Sequence, residues 1–208
     1  MGNLGKNRKK FLALAIALSL QMQAVMPCYA AVTAEAGGAN VNGNIINIVK
    51  PDSNGLSHNK FTDFNVAGNG IVFNNHTGSA QYNSQLAGAL NANANLQGNE
   101  AKLILTEVTG TGKTNLNGML EIAGTKADLV IANPNGIVGK GFGFINVGRA
   151  TLTTGVPNMG ADGKLNGFSV AKGTIDIQNA CLTEDQRTDY RPDKLDIMAR
   201  AIKINDEL

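Results

Sequence analysis

One stretch sets the pattern for the whole chain: Leu129-Val130-Ile131-Ala132-Asn133-Pro134-Asn135-Gly136. A short apolar run is followed at once by a turn, because Pro134 restricts φ to the value that the second turn position requires and Asn135 tolerates left-handed geometry. Gly136 adopts a positive φ without a steric penalty. The stretch therefore predicts a short strand that ends at a tight turn.

The same pattern recurs along the chain. Glycine contributes 25 of the 208 residues, and long amphipathic helical patterns are missing. Evenly spaced short runs between Gly- and Asn-rich turns predict an all-β architecture. The runs are Ile45–Val49, Ile71–Phe73, Leu103–Leu105, Met119–Ile122, Leu129–Ile131, Phe144–Val147, Ala150–Thr153, Phe168–Val170 and Thr174–Ile177.

Short strands are compatible with a sandwich, a barrel or a solenoid, and their spacing favours a parallel β-helix. From Leu116 onward, coils of about 20 residues hold two or three strands each, as solenoid repeats require. Alternating apolar residues such as Ile175 and Ile177 supply the inward face. Asparagines at the corners are expected to form ladders between coils. We expect the region from Asn40 to Asn75 to cap the first coil.

The chain opens with an export signal, which we assign to residues 1–30. Lys6, Arg8, Lys9 and Lys10 precede an apolar run from Phe11 to Leu20, and small residues follow at Cys28 and Ala30. This pattern predicts export by the Sec machinery and cleavage by signal peptidase between Ala30 and Ala31. A cut after Ala34 is the alternative.

Charge and cysteine content narrow the function classes. Removal of the leader takes four of the 18 Lys and Arg residues and leaves 14 against 16 Asp and Glu, so the mature chain carries about −2. With no basic run and no Trp, nucleic-acid binding is not expected. Loss of Cys28 leaves Cys181 alone, which excludes an internal disulfide. His58 and His76 lack ligand or triad spacing, so we expect no catalytic site, metal or cofactor.

Five segments are more specific than any single turn: Gly55–Val66, Gly70–Asn75, Leu103–Val108, Ala127–Ile137 and Leu195–Ala201. Together they resemble the amino-terminal secretion domain of two-partner secretion (TPS) exoproteins, the family of filamentous haemagglutinins and contact-dependent growth-inhibition effectors. The resemblance covers residues 31–208. It implies a right-handed parallel β-helix with an amino-terminal cap and extra-helical β elements.

The resemblance also implies a partner and a destination. Such domains are recognised in the periplasm by the POTRA domains of an outer-membrane β-barrel transporter and reach the cell surface or the medium. Two family motifs, Asn-Pro-Asn-Leu and Asn-Pro-Asn-Gly-Ile, are linked to secretion. The second is intact as Asn133, Pro134, Asn135, Gly136 and Ile137, whereas the first reads Asn93-Ala94-Asn95-Leu96. These residues are the expected transporter-recognition sites.

An alternative function is an adhesive module that binds host protein or glycan through exposed turns. The low aromatic content of 5% argues against a sugar-stacking platform but not against protein contacts. The chain stops after Ile202-Lys203-Ile204-Asn205 without a capping coil. We therefore expect a piece of a longer exoprotein, with any contact to a host or neighbouring cell made by its downstream regions.

Overall fold

The computed structural model describes residues 31–178 and 190–205. A 3-10 turn spans Ala94–Leu96. Within the described ranges no helix is long and apolar enough to cross a membrane. The strands are β1 (Val32–Ala34), β2 (Asn40–Asn42), β3 (Ile45–Asn47), β4 (Leu56–Phe64), β5 (Ile71–Asn75), β6 (Tyr82–Ser84), β7 (Gly88–Leu90), β8 (Leu103–Val108), β9 (Thr114–Leu116), β10 (Met119–Gly124), β11 (Ala127–Ala132), β12 (Ile137–Lys140), β13 (Gly143–Ile145), β14 (Val147–Thr153), β15 (Val156–Met159), β16 (Leu165–Ser169), β17 (Thr174–Gln178), β18 (Lys194–Met198) and β19 (Ala201–Ile204).

Three sheets form the body of the molecule. Sheet A has the order β1-β4-β8-β11-β14-β18, sheet B the order β13-β10-β5-β3-β2, and sheet C the order β19-β17-β12-β9. The chain visits A, C and B in turn, and strands at equivalent positions pair in parallel with those of the next turn. This is the predicted parallel β-helix.

Each turn of the solenoid is called a coil here: coil 1 holds β4 and β5, coil 2 holds β8 to β10, coil 3 holds β11 to β13, coil 4 holds β14 and β17, and coil 5 holds β18 and β19. Leu103 lies opposite Asp128 and Leu129 lies opposite Ala150, so coils 2 and 3 take 25 and 21 residues. Coils 1 and 4 take 47 and 45 residues, since Leu56 lies opposite Leu103 and Arg149 lies opposite Lys194. The β6–β7 and β15–β16 hairpins form separate two-stranded sheets. They are the extra-helical elements that the resemblance implied.

All nine predicted runs contain strand residues, with two informative differences. The run Phe144–Val147 is divided, because Asn146 adopts a φ of 58° between β13 and β14. A left-handed residue cannot continue a strand. The run Phe168–Val170 belongs to the β15–β16 hairpin and not to a coil.

The interior of the solenoid is a column of aliphatic and aromatic side chains. Ile104, Ile131, Leu152 and Ile175 are fully buried in one continuous cluster. Intervening residues such as Leu105 and Val130 point outward, and they form a second apolar cluster on the outer face of sheet A. Alternation along each strand therefore gives sheet A two apolar faces, one inside the solenoid and one outside.

The amino-terminal cap is shorter than predicted. β1 pairs antiparallel with β4, and β2 pairs antiparallel with β3, so these segments cover the edge of coil 1. The expectation that the whole region from Asn40 to Asn75 is a cap is wrong for β4 and β5, because both pair in parallel with coil 2. Their irregular sequence spacing reflects the length of β4 and not a departure from the solenoid.

The β6–β7 hairpin is held on sheet B by a buried carboxylate. Glu121 is fully buried, and one of its oxygens accepts bonds from Ser84 Oγ at 2.7 Å and from the Leu86 N–H at 2.9 Å. Its other oxygen accepts from the Gln85 N–H at 3.0 Å. Three donors from one turn thus compensate for burial of the Glu121 carboxylate.

Candidate functional site

The Asn133–Gly136 turn joins sheet A to sheet C within coil 3, between β11 and β12. The Gly136 N–H donates to the Asn133 carbonyl at 3.1 Å and closes the turn. Gly136 has a φ of 119°, and a β-carbon there would lie 2.9 Å from the Thr174 carbonyl oxygen. The positive φ of Gly136 is as predicted, and Asn135, which tolerates left-handed geometry, does not adopt it. Ile137 begins β12 and is fully buried in the core.

The side chain of Asn133 is committed to the fold. It is fully buried, and its Nδ2 donates to the Gly112 carbonyl and to Thr114 Oγ1, both at 3.0 Å. Its Oδ1 accepts the Asn135 N–H at 2.9 Å. Asn133 therefore ties coil 3 to coil 2 and orders its own turn at the same time.

Asn135 extends this network outward. Its Nδ2 donates to the Gly110 carbonyl at 2.7 Å, and its Oδ1 accepts from Lys172 Nζ at 3.1 Å. Both Pro134 and Asn135 are half-buried. The corner thus bonds to coil 2 through Gly110 and to the segment before β17 through Lys172.

The Asn93–Leu96 motif repeats this design without a proline. Asn93 is 3% exposed, and its Nδ2 donates to the carbonyls of Ile48 and Asn74, both at 2.9 Å. Its Oδ1 accepts the Asn95 N–H at 3.0 Å, and the Leu96 N–H donates to the Asn93 carbonyl at 3.1 Å. The hydrogen bonds therefore form the turn even though alanine occupies position 94.

The second asparagine and the leucine complete the first motif. Asn95 Nδ2 donates to Asn40 Oδ1 at 2.9 Å and to the Asn47 carbonyl at 3.2 Å, and Leu96 is fully buried in the solenoid core. This motif bonds to coil 1 and the cap, whereas the Asn133 motif bonds to coil 2. The two predicted recognition motifs thus have separate hydrogen-bond networks.

Two further corner asparagines escaped the sequence analysis. Asn75 is fully buried; its Nδ2 donates to the carbonyls of Ala101 and Thr125 at 3.0 and 2.9 Å, and its Oδ1 accepts the Ala101 N–H at 2.7 Å. Asn146 Nδ2 donates to the carbonyls of Ile122 and Gly124 at 2.8 and 3.0 Å. In the sequence, both could have been recognised as asparagines that end an apolar run.

The predicted asparagine ladders are present but short. Asn74 Nδ2 donates to Asn47 Oδ1 at 2.8 Å, and Asn115 Nδ2 donates to Asn65 Oδ1 at 2.9 Å. Most corner asparagines instead bond to backbone carbonyls of an adjacent coil. A backbone carbonyl at a corner has no hydrogen-bond partner in the sheet. An asparagine N–H group that donates to it satisfies this acceptor, which a bond to a second asparagine side chain would not do.

A hydrogen-bonded pair on the outer face of sheet A joins coils 1 and 2. His58 Nε2 lies 2.7 Å from Glu107 Oε2, and Lys60 Nζ lies 3.9 Å from the same oxygen. The hydrogen bond from His58 and the nearby positive charges hold the pKa of Glu107 below its ordinary value of 4.5, although burial opposes this shift. Ionised Glu107 therefore stabilises the fold above pH 4.5, and this contribution is lost as the pH falls through the lowered pKa.

We expect Glu107→Gln to reduce the free energy of unfolding by about 1 kcal/mol at pH 5.5, because a neutral amide loses the charge-assisted bond. The deficit should shrink as the pH falls below 4.5 through the lowered pKa of Glu107, because the wild type then loses the same contribution. Urea denaturation over a series of pH values from 5.5 downward measures it. Asp193→Asn is the control, because Asp193 pairs with Lys126 on an exposed surface. A deficit that stays constant with pH would contradict the assignment.

Several sequence predictions lie outside the described residues. These are the leader, including Ala30, and Cys181. Ala31 is described, and its carbonyl accepts the Asn65 N–H at 3.0 Å. Across the described ranges, no group of three or more His, Cys, Asp and Glu side chains is placed to hold a metal ion.

Comparison with known proteins agrees with the fold. Residues 27–208 match the family described as TPS secretion domain. The chain is 39% identical over 206 residues to a 16S rRNA endonuclease CdiA of Enterobacter cloacae and 42% identical over 202 residues to a tRNA nuclease CdiA of Escherichia coli strain STEC_O31. These alignments cover 96% and 94% of this chain but only 6% of each relative.

A solved structure shows the same architecture. The crystal structure of the filamentous hemagglutinin secretion domain matches with a TM-score of 0.68 and 39% identity, over 82% of this chain and 56% of that one. Domains of this kind belong to exoproteins that are exported to the cell surface or the medium. From the family match and this structural likeness, we conclude that the chain belongs to the TPS secretion domain family.

Proposed function

We propose that this chain directs the export of a longer exoprotein by binding the POTRA domains of a cognate outer-membrane transporter before it folds. The observation that carries the proposal is that the asparagine side chains at the start of both motifs are buried, with Asn133 0% and Asn93 3% exposed. A partner cannot reach them in the folded domain. If the transporter binds Asn133 or Asn93 directly, it binds the chain in an extended state.

Extended segments suit this kind of recognition. A chain with no internal disulfide stays unfolded without covalent rearrangement, and extended segments add to an exposed sheet edge by β-augmentation. Backbone hydrogen bonds supply the affinity, and pockets for alternate side chains supply the specificity. Asn133, Pro134, Asn135, Gly136 and Ile137 are the proposed recognition segment, with Asn93, Asn95 and Leu96 as the second.

The corner contacts favour stepwise folding on the far side of the membrane. Asn135 bonds to Gly110 and Asn146 bonds to Ile122, so residues that leave the transporter later bond to a coil that has already formed. Neighbouring coils are close in sequence, and the entropy cost of adding each coil is therefore small. The finished coils then act as a template, and folding outside the cell opposes return of the chain.

Cleavage after Ala30 fits this fold better than cleavage after Ala34. Val32–Ala34 form β1, which pairs antiparallel with β4 at the amino-terminal edge of sheet A. A cut after Ala34 removes β1 and leaves the β4 edge open to pairing with other chains. We therefore propose Ala31 as the first residue of the exported form.

By analogy with the CdiA relatives, the longer exoprotein delivers a toxic activity that resides outside these residues. The two relatives described above are nucleases by name, and this chain covers only 6% of each. The secretion domain then supplies export and an early template for folding. No catalytic role is proposed for it.

Release of the chain fused to a reporter tests the proposal in cells with and without the candidate transporter. We expect the transporter to raise release at least tenfold, because recognition precedes passage. In a second experiment, the chain is unfolded in urea and diluted out of the denaturant directly into purified POTRA domains. These domains should bind it more strongly than they bind chain that was kept folded. Release that does not depend on the transporter, or stronger binding of the POTRA domains to the folded chain, would overturn the proposal. Adhesion would then be the better-supported function.

A further inference from the structure

We propose that the β15–β16 hairpin is a strap that couples coil 1 to coil 4, so that these coils unfold as one cooperative unit. In a simple solenoid each coil contacts only its neighbours, and end coils can unfold independently. A hairpin that leaves a late coil and packs on the earlier ones adds a contact that spans the stack. The strap is defined as residues 156–169.

The strap packs across the outer face of sheet A. It leaves the chain after β14 of coil 4, and Leu165 and Phe168 pack on the outer apolar cluster. The buried members of that cluster come from three coils: Leu56 in coil 1, Leu105 in coil 2, and Val130 and Ala132 in coil 3. One hairpin thus packs on an apolar cluster to which each of the three preceding coils contributes.

The tip of the strap reaches the loop before coil 1. A β-carbon on Gly163 would lie 3.7 Å from Asp52 Oδ2. Asp52 Oδ1 in turn accepts the Leu56 N–H at 2.9 Å and therefore orders the start of β4. The strap contacts both ends of the first four coils.

Glycine at the base of the strap permits this close packing. A β-carbon on Gly155 would lie 2.6 Å from the Phe168 β-carbon, and the Gly155 N–H donates to Thr153 Oγ1 at 2.9 Å. Val156, which follows at once, is 46% exposed. The strap therefore has one face toward sheet A and one face toward solvent.

This inference goes beyond export, because it concerns the folded domain whether or not a transporter recognises it. During stepwise folding coils 1 to 3 can form before the strap has emerged, and Leu56, Leu105 and Val130 remain uncovered until then. Packing of Leu165 and Phe168 ends that exposure and joins the coils. Packing of the strap thus stabilises the coils together, so that the domain folds as one cooperative unit.

The test compares three variants of the purified exported chain. The strap variant carries Leu165→Ser and Phe168→Ser, Val156→Ser alters the exposed face of the same hairpin, and Ile175→Ala weakens the core of coil 4 without touching the strap. Urea unfolding reports cooperativity, since the slope falls when unfolding ceases to be two-state. Hydrogen exchange, read by mass spectrometry, compares amides of β4 with those of β11 and β14.

We expect wild type, Val156→Ser and Ile175→Ala to unfold in one transition with equal slopes and with uniform protection across the coils. The strap variant should show a smaller slope, and its β4 amides should exchange at least tenfold faster than its β11 amides. A strap variant that keeps the wild-type slope and uniform protection would overturn the proposal. If the double variant does not fold, Leu165→Ala alone gives the same comparison, with smaller expected changes in the slope and in the exchange rate.

Discussion

Asn133→Ala is expected to lower the free energy of unfolding by about 2–3 kcal/mol and to reduce export more than its stability loss explains. The substitution removes three hydrogen bonds and leaves the buried Thr114 hydroxyl without its donor. An unsatisfied buried polar group costs about 1–3 kcal/mol. Urea denaturation measures the stability, and release of a reporter fusion measures the export.

Asn75→Ala is the matched control for this experiment. Asn75 is also fully buried and makes the same kinds of bonds, two from its amide nitrogen and one to its amide oxygen. It lies outside both motifs, so its loss should cost similar stability without removing a recognition residue. Equal export of the two variants would reduce the Asn133 motif to a structural turn. A larger loss for Asn133→Ala would support direct recognition.

Gly124→Ala is expected to destabilise the fold by about 3 kcal/mol, from left-handed strain and steric overlap together. Gly124 has a φ of 91° at the end of β10, and a β-carbon there would lie 2.6 Å from the Asn75 carbonyl oxygen. The overlap cannot be relieved without moving coil 1 away from coil 2, and the left-handed strain remains even then. For a domain of this size the expected fall in Tm is about 10 °C.

Gly43→Ala separates the two causes. Gly43 has a φ of 60° but open space around its β-carbon position, so only the left-handed strain applies. We expect a loss of about 1 kcal/mol there. Thermal unfolding followed by circular dichroism compares the two variants. Similar losses would mean that the corner at Gly124 relaxes and that close packing of the coils is not the limiting factor.

Much of the fold could be predicted from the sequence, because short strands and turns depend on a few adjacent residues. The apolar run before Asn133 predicted both β11 and the turn that follows, and the alternation of Ile175 and Ile177 predicted the inward face of β17. The length of coil 3 followed from the spacing of such runs, whereas the greater length of coil 4 did not. The boundary of the cap did not, because antiparallel and parallel pairing of a short strand leave the same pattern in its own residues.

The residues of the candidate site could be predicted from the sequence only in part. Turn chemistry and family resemblance identified the Asn133 motif, but they did not show that its first side chain is fully buried. Asn75 performs the same kind of bonding, although neither of the two secretion motifs includes it. The sequence allowed a positive φ at both Asn135 and Gly136, and only the structure shows that Gly136 alone adopts it.

The amino-acid sequence by itself predicted an export signal, and it determined the short strands and the turns between them, because these depend on the conformational preferences of a few adjacent residues. Only the tertiary structure decided which asparagines are buried, where the hairpins pack and how His58 meets Glu107, 49 residues away. These contacts depend on the register between coils. That register is set by cooperative packing of the whole stack, and no single segment encodes it.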